Sequence, residues 1–360
     1  MDETTPLRQC HLGLGARLVS FAGWEMPLQY SSILEEARRV RARGGLFDLC
    51  HMGRVRVTGK EAETLLQRVV TNDVAKIKPG AIRYAMITRE DGGVLDDVLV
   101  YRDPEIENSF FVVVNAANRT RDLDWMRSHA NGMQVDILDQ THELAMIALQ
   151  GPVSPDVLAP HTSANPNDLK YYTWIHSDVS GVPCSMSRTG YTGEDGFELY
   201  VPRDEVRCIW ETLLETGICP IGLAARDTLR LEAAMALYGH ELTEDINPYE
   251  ARLGWAVKLK TDFIGRDALA EVKEQGPRRL LAGLVTESRR VPRQGYKVLR
   301  EGREIGVVAS GTFSPALNKN IATAFLEPML AVTGTEVAVL VRNKEVPARV
   351  TDLPFYQRQQ

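Results

Sequence analysis

The stretch Ser187–Leu199, SRTGYTGEDGFEL, is where the chain first declares itself: Gly190, Gly193 and Gly196 recur at every third position, interleaved with Tyr191, Glu194, Asp195 and Glu198. Glycines this close together sacrifice backbone entropy, and structures that tolerate them need positive φ or a close approach of the backbone to another surface. The carboxylates between them are short of local basic partners. By itself the segment fits either a turn that lines a ligand or a surface hairpin with solvated acids.

The 360 residues exceed what one core usually holds, so two or three domains are expected, and 44% hydrophobic content is enough to fill them. A net charge of −6 disfavours a nucleic-acid partner. The one dense basic run, Arg38, Arg39, Arg41 and Arg43, reads as the solvated face of a helix. No window approaches the roughly 18 apolar residues of a membrane span, and the opening MDETTPLRQ lacks a basic segment followed by an apolar one. No membrane is therefore expected, and the location expected is cytoplasmic. Five dispersed cysteines without a CxxC fit reduced thiols.

Along the chain, Ser31 or Ser32 caps a helix over ILEEARRVRARGG. Strands follow at Arg54–Gly59, Arg83–Thr88 and Val94–Tyr101, the last two as a hairpin, and at Phe110–Val114. Helices are expected from Lys60 to about Val70 and from Ala116 to about His129, and another from Leu223 to Tyr238, closed by Gly239. This alternation is that of an α+β arrangement. After Gly276-Pro277 the texture changes to short β-type runs, which predicts a separate small all-β domain. The expected division is therefore 1–278, two interleaved α+β domains, and 279–360, a C-terminal β-barrel.

The second chemical feature is GGVLDDVLVY, Gly92–Tyr101. Adjacent acids interrupt an apolar strand, and strand alternation sends Asp96 and Asp97 to opposite faces. A carboxylate on the inward face either gains proton affinity or meets a cation, and both states suit a substrate nitrogen that becomes positive. Spacing does not choose between the two. Arg226 and Arg230, one turn apart, either form salt bridges or hold an anionic ligand tail. Cys50-His51 makes a poor thiol–imidazole dyad because neighbours on a strand point apart. No histidine spacing suggests a metal site, and no phosphate-binding loop is present.

Taken with SFAGWEMPLQY (Ser20–Tyr30), FDLCHMG (Phe47–Gly53), TND (Thr71–Asp73), VVNAAN (Val113–Asn118), ALQGP, GLAARDTLRLEAAMALYGHEL, NPYEARLGWAVKLKTDFIG (Asn247–Gly265) and SGTFSPALNKNIATAF, these segments give a chain that resembles the T-protein family, the aminomethyltransferases of the glycine cleavage system, nearly end to end. The resemblance implies a three-domain cloverleaf around a central folate-binding hole, with the small barrel as its last domain. It implies aminomethyl transfer from the lipoylated H-protein to tetrahydrofolate, releasing ammonia and forming 5,10-methylene-tetrahydrofolate, with no metal.

Residue by residue, the family's functional acid falls on Asp97, and Glu198 matches the pterin anchor. Tyr84, Tyr101, Tyr172 and Tyr191 match pocket-lining tyrosines, with Tyr171 as a companion. Asn115 matches a pocket asparagine, and Arg226 a ligand contact. The tail LPFYQRQQ departs from the family pattern after its first residues, which leaves Arg358 without an assigned role. Two rival readings share the scaffold: a folate-dependent demethylase of a small methylated compound, and a non-catalytic folate-binding module. Relatives of the second kind carry a KGCYxGQE motif where this chain has SRTGYTGEDG.

Overall fold

Side-chain alternation on the strands decides how the layers stack. The structure, a computed structural model, describes residues 2–288 and 290–358. A six-stranded sheet runs in the order Trp174–Val179, Val182–Ser187, Gly196–Pro202, Leu144–Gln150, Gly45–Asp48, Cys219–Ile221. One of its faces carries Leu46, Ile147, Leu149, Phe197 and Leu199, which pack on Trp210 of the helix Val206–Glu215. The residues of opposite parity, Phe47, Met146, Ala148 and Tyr200, join a different core with Tyr101 and Phe111. Those two aromatics belong to a five-stranded sheet ordered Ile82–Thr88, Val94–Arg102, Ser109–Val114, Gly53–Thr58, Asp136–Asp139. Its other face, with Val55, Val57, Val98, Val100, Phe110 and Val112, is covered by the helices Ala62–Val69 and Arg119–His129.

The two sheets therefore lie back to back with their helices outside, and each is apolar on both faces. Because Gly45–Asp48 precedes the five-stranded sheet in the chain and Leu144–Gln150 follows it, the two lobes are interleaved in sequence. The third lobe is a closed barrel of six strands between Leu280 and Thr351. The whole is an α+β cloverleaf of three lobes around a central opening.

Ser32 caps the helix Ile33–Ala42, its hydroxyl accepting from Glu35 N at 3.2 Å. Two helices are shorter than their sequences suggest. Leu223–Glu232 stops six residues before Tyr238, because Ala234 takes a left-handed φ of 54°. The carbonyls freed there are used elsewhere: Met235 O accepts from Arg230 at 3.2 Å and Ala236 O from the Tyr191 hydroxyl. The helix expected from Ala116 begins only at Arg119, because Asn115 and Asn118 turn their amides onto Asp96.

The basic run Arg38–Arg43 is not a uniformly solvated face. Arg41 is mostly buried, donating to Glu232 Oε2 at 2.7 Å, to Glu194 Oε1 at 2.8 Å and to the Thr192 carbonyl at 2.6 Å, with the Tyr356 ring 3.9 Å from its guanidinium carbon. The other Glu232 oxygen accepts from Ser314 Oγ at 2.5 Å and Ala316 N at 3.1 Å. One guanidinium thus ties the helix Ile33–Ala42, the glycine-rich turn, the helix Leu223–Glu232 and the C-terminal tail to the barrel. Replacing one member of a buried pair strands the other's charge, so Arg41→Met is expected to destabilise the protein by about 3–5 kcal/mol. A urea unfolding midpoint equal to that of the parent would show that Arg41 has no such role.

Candidate active site

Parity also decides which polar side chains reach the opening. On Val94–Arg102, Val98 and Val100 face the helix layer, so Asp96 does too, whereas Asp97 shares the inter-sheet face with Leu99 and Tyr101. On Gly196–Pro202, Glu198 likewise shares the inter-sheet face with Tyr200. Past the packed aromatics, Asp97 stands on one sheet and Glu198 on the facing one, with Tyr172 within reach of both charges.

Asp97 is half-buried. It accepts from the Tyr84 hydroxyl at 3.1 Å and from Asn115 Nδ2 at 2.9 Å. The register that pairs Leu99 with Val113 brings Asn115 level with Asp97, where the strand pairing ends, and the same amide nitrogen donates to Asp96 Oδ1 at 2.9 Å. Asp96 is fully buried and also accepts from Asn115 N at 2.9 Å and from Asn118. Burial, followed by the charge of Asp96, pushes the Asp97 carboxyl up to about 7, so it exchanges its proton near neutral pH. The Tyr84 ring stacks on Trp255, centroids 5.5 Å apart, and Trp255 is largely exposed at the rim.

Glu198 is buried and held by Thr189 Oγ1 at 2.6 Å, and burial raises its proton affinity. Arg226 lies over the Tyr191 ring, 4.7 Å from the centroid, with its charge felt by Glu198. Its Nη1 is buried and has no hydrogen-bond partner. A buried carboxylate beside an unsatisfied guanidinium offers an acceptor and a donor together, which is the complement of a planar amide edge such as a pterin presents. Burial depresses the Arg226 pKa. Arg230, in contrast, is spent internally on Asp227, Glu241 and Ser310, each at 2.8 Å.

Tyr172, at a left-handed φ of 61°, lies within reach of the charges of both Asp97 and Glu198, and its ring contacts Tyr171 at 4.9 Å. Tyr171 is half exposed, with the Arg358 guanidinium carbon 6.0 Å from its ring centroid and Arg358 Nη1 3.4 Å from Asp195 Oδ1. Tyr101 is placed differently. It has no exposed surface, and its hydroxyl meets that of Tyr200 at 2.7 Å, so it stands one layer behind the wall and supports the strand of Glu198.

In the glycine-rich segment every glycine is used. Gly193 has φ 79°, and a Cβ at Gly190 or Gly196 would overlap the Gln150 side chain. The acids there do have partners: Glu194 pairs with Arg41, and Asp195 with Arg188 at 2.5 Å, so only Glu198 is turned to the opening. Sequence reasoning passed over Asn118, Asp122 and Trp255; an Asp and an Asn four residues apart on the apolar side of a helix were the available signal. Cys50 is buried against the Met146 carbonyl, and burial raises its thiol, which removes it as a nucleophile. Among the described residues no cluster of three or more His, Cys, Asp or Glu is arranged to hold a metal ion.

A family model described as the GCVT N-terminal domain matches residues 7–261, and one described as the glycine cleavage T-protein C-terminal barrel domain matches residues 278–357. An aminomethyltransferase of Symbiobacterium thermophilum is 49% identical over 367 aligned residues, covering 99% of this chain and 97% of the relative. One from Herpetosiphon aurantiacus is 47% identical, covering 99% and 98%. The crystal structure of the glycine cleavage system aminomethyltransferase T from Bartonella henselae superposes with a TM-score of 0.94 at 35% identity, covering 99% of both chains.

The Tyr84 hydroxyl favours the ionised form of Asp97, so its loss strengthens proton binding. Tyr84→Phe is expected to raise the Asp97 midpoint by about 0.5–1 unit, the equivalent of one neutral hydrogen bond. Carboxyl-carbon NMR titration measures it, and an unmoved midpoint would remove Tyr84 from the tuning of Asp97.

Proposed function

We propose that this chain, which belongs to the glycine cleavage T-protein family, works by holding tetrahydrofolate in the seam between its two sheets, against Glu198 and Arg226, with Asp97 at the reacting nitrogen. Its activity is that of an aminomethyltransferase of glycine cleavage. One observation carries the assignment of roles: a buried carboxylate, Glu198, and a half-buried one, Asp97, stand on facing sheets, the first beside an unpartnered guanidinium and the second poised to exchange a proton near pH 7. The donor we assign is the aminomethyl group on the lipoyl arm of the H-protein, entering an opening rimmed by Trp255 and Tyr171, both exposed. Five unpaired cysteines accord with a reducing, cytoplasmic setting.

Bound in the seam, tetrahydrofolate supplies the nitrogens that take up the methylene carbon, while the amino group leaves as ammonia and the sulfur as a thiol, each with one proton. The protein supplies position and charge. Glu198 and Arg226 fix the flat ring by its polar edge, and Tyr172 and Tyr191 provide aromatic walls. Asp97, which exchanges its proton near neutral pH, stabilises the nitrogen as it becomes cationic and accepts its proton. Asn115 and Tyr84 hold that carboxylate in one orientation, so little reorganisation accompanies the transfer.

Single-turnover ammonia release from aminomethylated H-protein, with and without tetrahydrofolate, tests the reading. Asp97→Asn is expected to lose about 10²–10⁴ in turnover at saturating tetrahydrofolate while binding it nearly as well. Glu198→Gln should do the reverse, weakening tetrahydrofolate binding about 10–100-fold and recovering turnover at saturation. If the parent binds tetrahydrofolate but releases no ammonia, the donor is wrong. Exchanged phenotypes would mean exchanged roles.

A further inference from the structure

Asp122 takes no part in the steps above, yet it is among the most unusual side chains of the fold. It lies on the helix Arg119–His129, one turn after Asn118, with no exposed surface, and neither of its carboxyl oxygens has a donor. The group within hydrogen-bonding reach is another carboxyl, that of Asp96. Two ionised carboxylates are not stable face to face in a dry interior, whereas a single proton between them converts repulsion into a strong O–H···O⁻ bond.

The surroundings decide which acid keeps the proton. Asp96 accepts from Asn115 N, Asn115 Nδ2 and Asn118 Nδ2, three donors that favour its charged form. Asp122 has none, and burial together with the Asp96 charge pushes it up to about 11. The neighbouring cation, Arg121 on the same helix, opposes this but is engaged by Glu244 at 2.7 Å, the Tyr238 hydroxyl at 3.0 Å and the Leu95 carbonyl.

We propose that Asp122 is a positioning residue for aminomethyl transfer: as a neutral acid it donates its proton to Asp96, and the carboxylate so maintained behind the Asn115 amide sets how strongly Asp97 holds its own proton. This rests on Asp97 being the acting group. The groups that face Asp97 are Asp96 on its own strand, Tyr84 from the neighbouring strand, Asn115 just past the end of the other, Tyr172 and Tyr191 from the loops, and Asp122 from the helix layer, which stays neutral while it keeps its proton. Asp96 is faced by Asn115, Asn118, Asp122 and Tyr238. Without a donor from Asp122, Asp96 takes up a proton itself. Its negative charge is then lost, Asp97 holds its proton less tightly, and the acid limb of activity moves to lower pH.

The test is the pH dependence of kcat/KM for ammonia release in the parent, Asp122→Asn and Asp122→Leu. The asparagine still donates, so its acid limb is expected within about 0.3 unit of the parent, whereas the leucine limb is expected to fall by about one unit. An unmoved leucine limb overturns the proposal. So does an asparagine limb that falls as far as the leucine one, since Asp122 was then charged in the parent. Should Asp122→Leu not fold, infrared difference spectra of parent and Asp122→Asn at about pH 8 decide. A protonated-carboxyl carbonyl band lost in the variant supports the proposal, and its absence from the parent overturns it. Undiminished turnover in Asp97→Asn would instead sink the reading of Asp97 and leave that band in place.

Discussion

The salt-bridged knot around Arg41 is the constraint on which the rest of the molecule depends. Its guanidinium is shared by Glu232 and Glu194, and Glu232 is shared again with Ser314 and Ala316 on the barrel side. A buried ion pair often stabilises no more than a well-packed apolar substitute would, so the contribution of such a knot lies in geometry. Hydrophobic contacts would let the lobes slide against each other, whereas directional bonds to both Glu232 oxygens permit one arrangement. Arg230 repeats the device two residues earlier, linking the helix Leu223–Glu232 to Glu241 and to Ser310 of the barrel.

Given fixed lobes, the position of the site follows from alternation. Two sheets that are apolar on both faces pack back to back, and the aromatics Tyr101, Phe111, Trp174 and Tyr200 fill the centre of the seam, Trp174 stacking on Phe111 with centroids 6.0 Å apart. Further along both strands residues of the same parity become polar: Asp97 two residues before Leu99, Glu198 two before Tyr200. A dry floor next to paired carboxylates is an environment that raises proton affinity without any metal or added cation. The floor and the acids are one continuous structure, so packing and acidity are set together.

Much of this was legible in the sequence, and the boundary of legibility has physical causes. The hairpin around Arg89–Gly93, the opposite facing of Asp96 and Asp97, and the need of the glycine-rich segment for positive φ and close approach all follow from local rules, and the structure has each of them. Local rules failed wherever a side chain found a partner distant in sequence. Glu194 and Asp195 looked unpaired because Arg41 lies 153 positions from Glu194, and because Arg188 was not recognised as folding back on Asp195. The helix through Tyr238 was expected from propensity, and it stops at Glu232 because Ala234 turns to a left-handed φ, the carbonyls so freed being taken up by Arg230 and Tyr191. Tyr101 carries a pocket motif in sequence, but its parity and position place it in the aromatic core.

The same geometry limits the chemistry available. Cys50 faces a carbonyl in a fully buried layer, and His51 beside it, desolvated and near the Arg226 charge, is pushed down to about 3 and so stays neutral. Covalent catalysis by a thiolate and general-acid catalysis by an imidazolium are therefore both closed at the FDLCHMG segment. Of the carboxyls that face the opening, Asp97 is the one pushed up to about 7, where it exchanges its proton near neutrality. With a single such group, the remaining means of acceleration are holding the reactants in line and stabilising charge where it develops. This explains why so much of the fold is devoted to rigidity: the three lobes, the doubly used glutamate and the amide shared by two aspartates all hold one carboxylate in place.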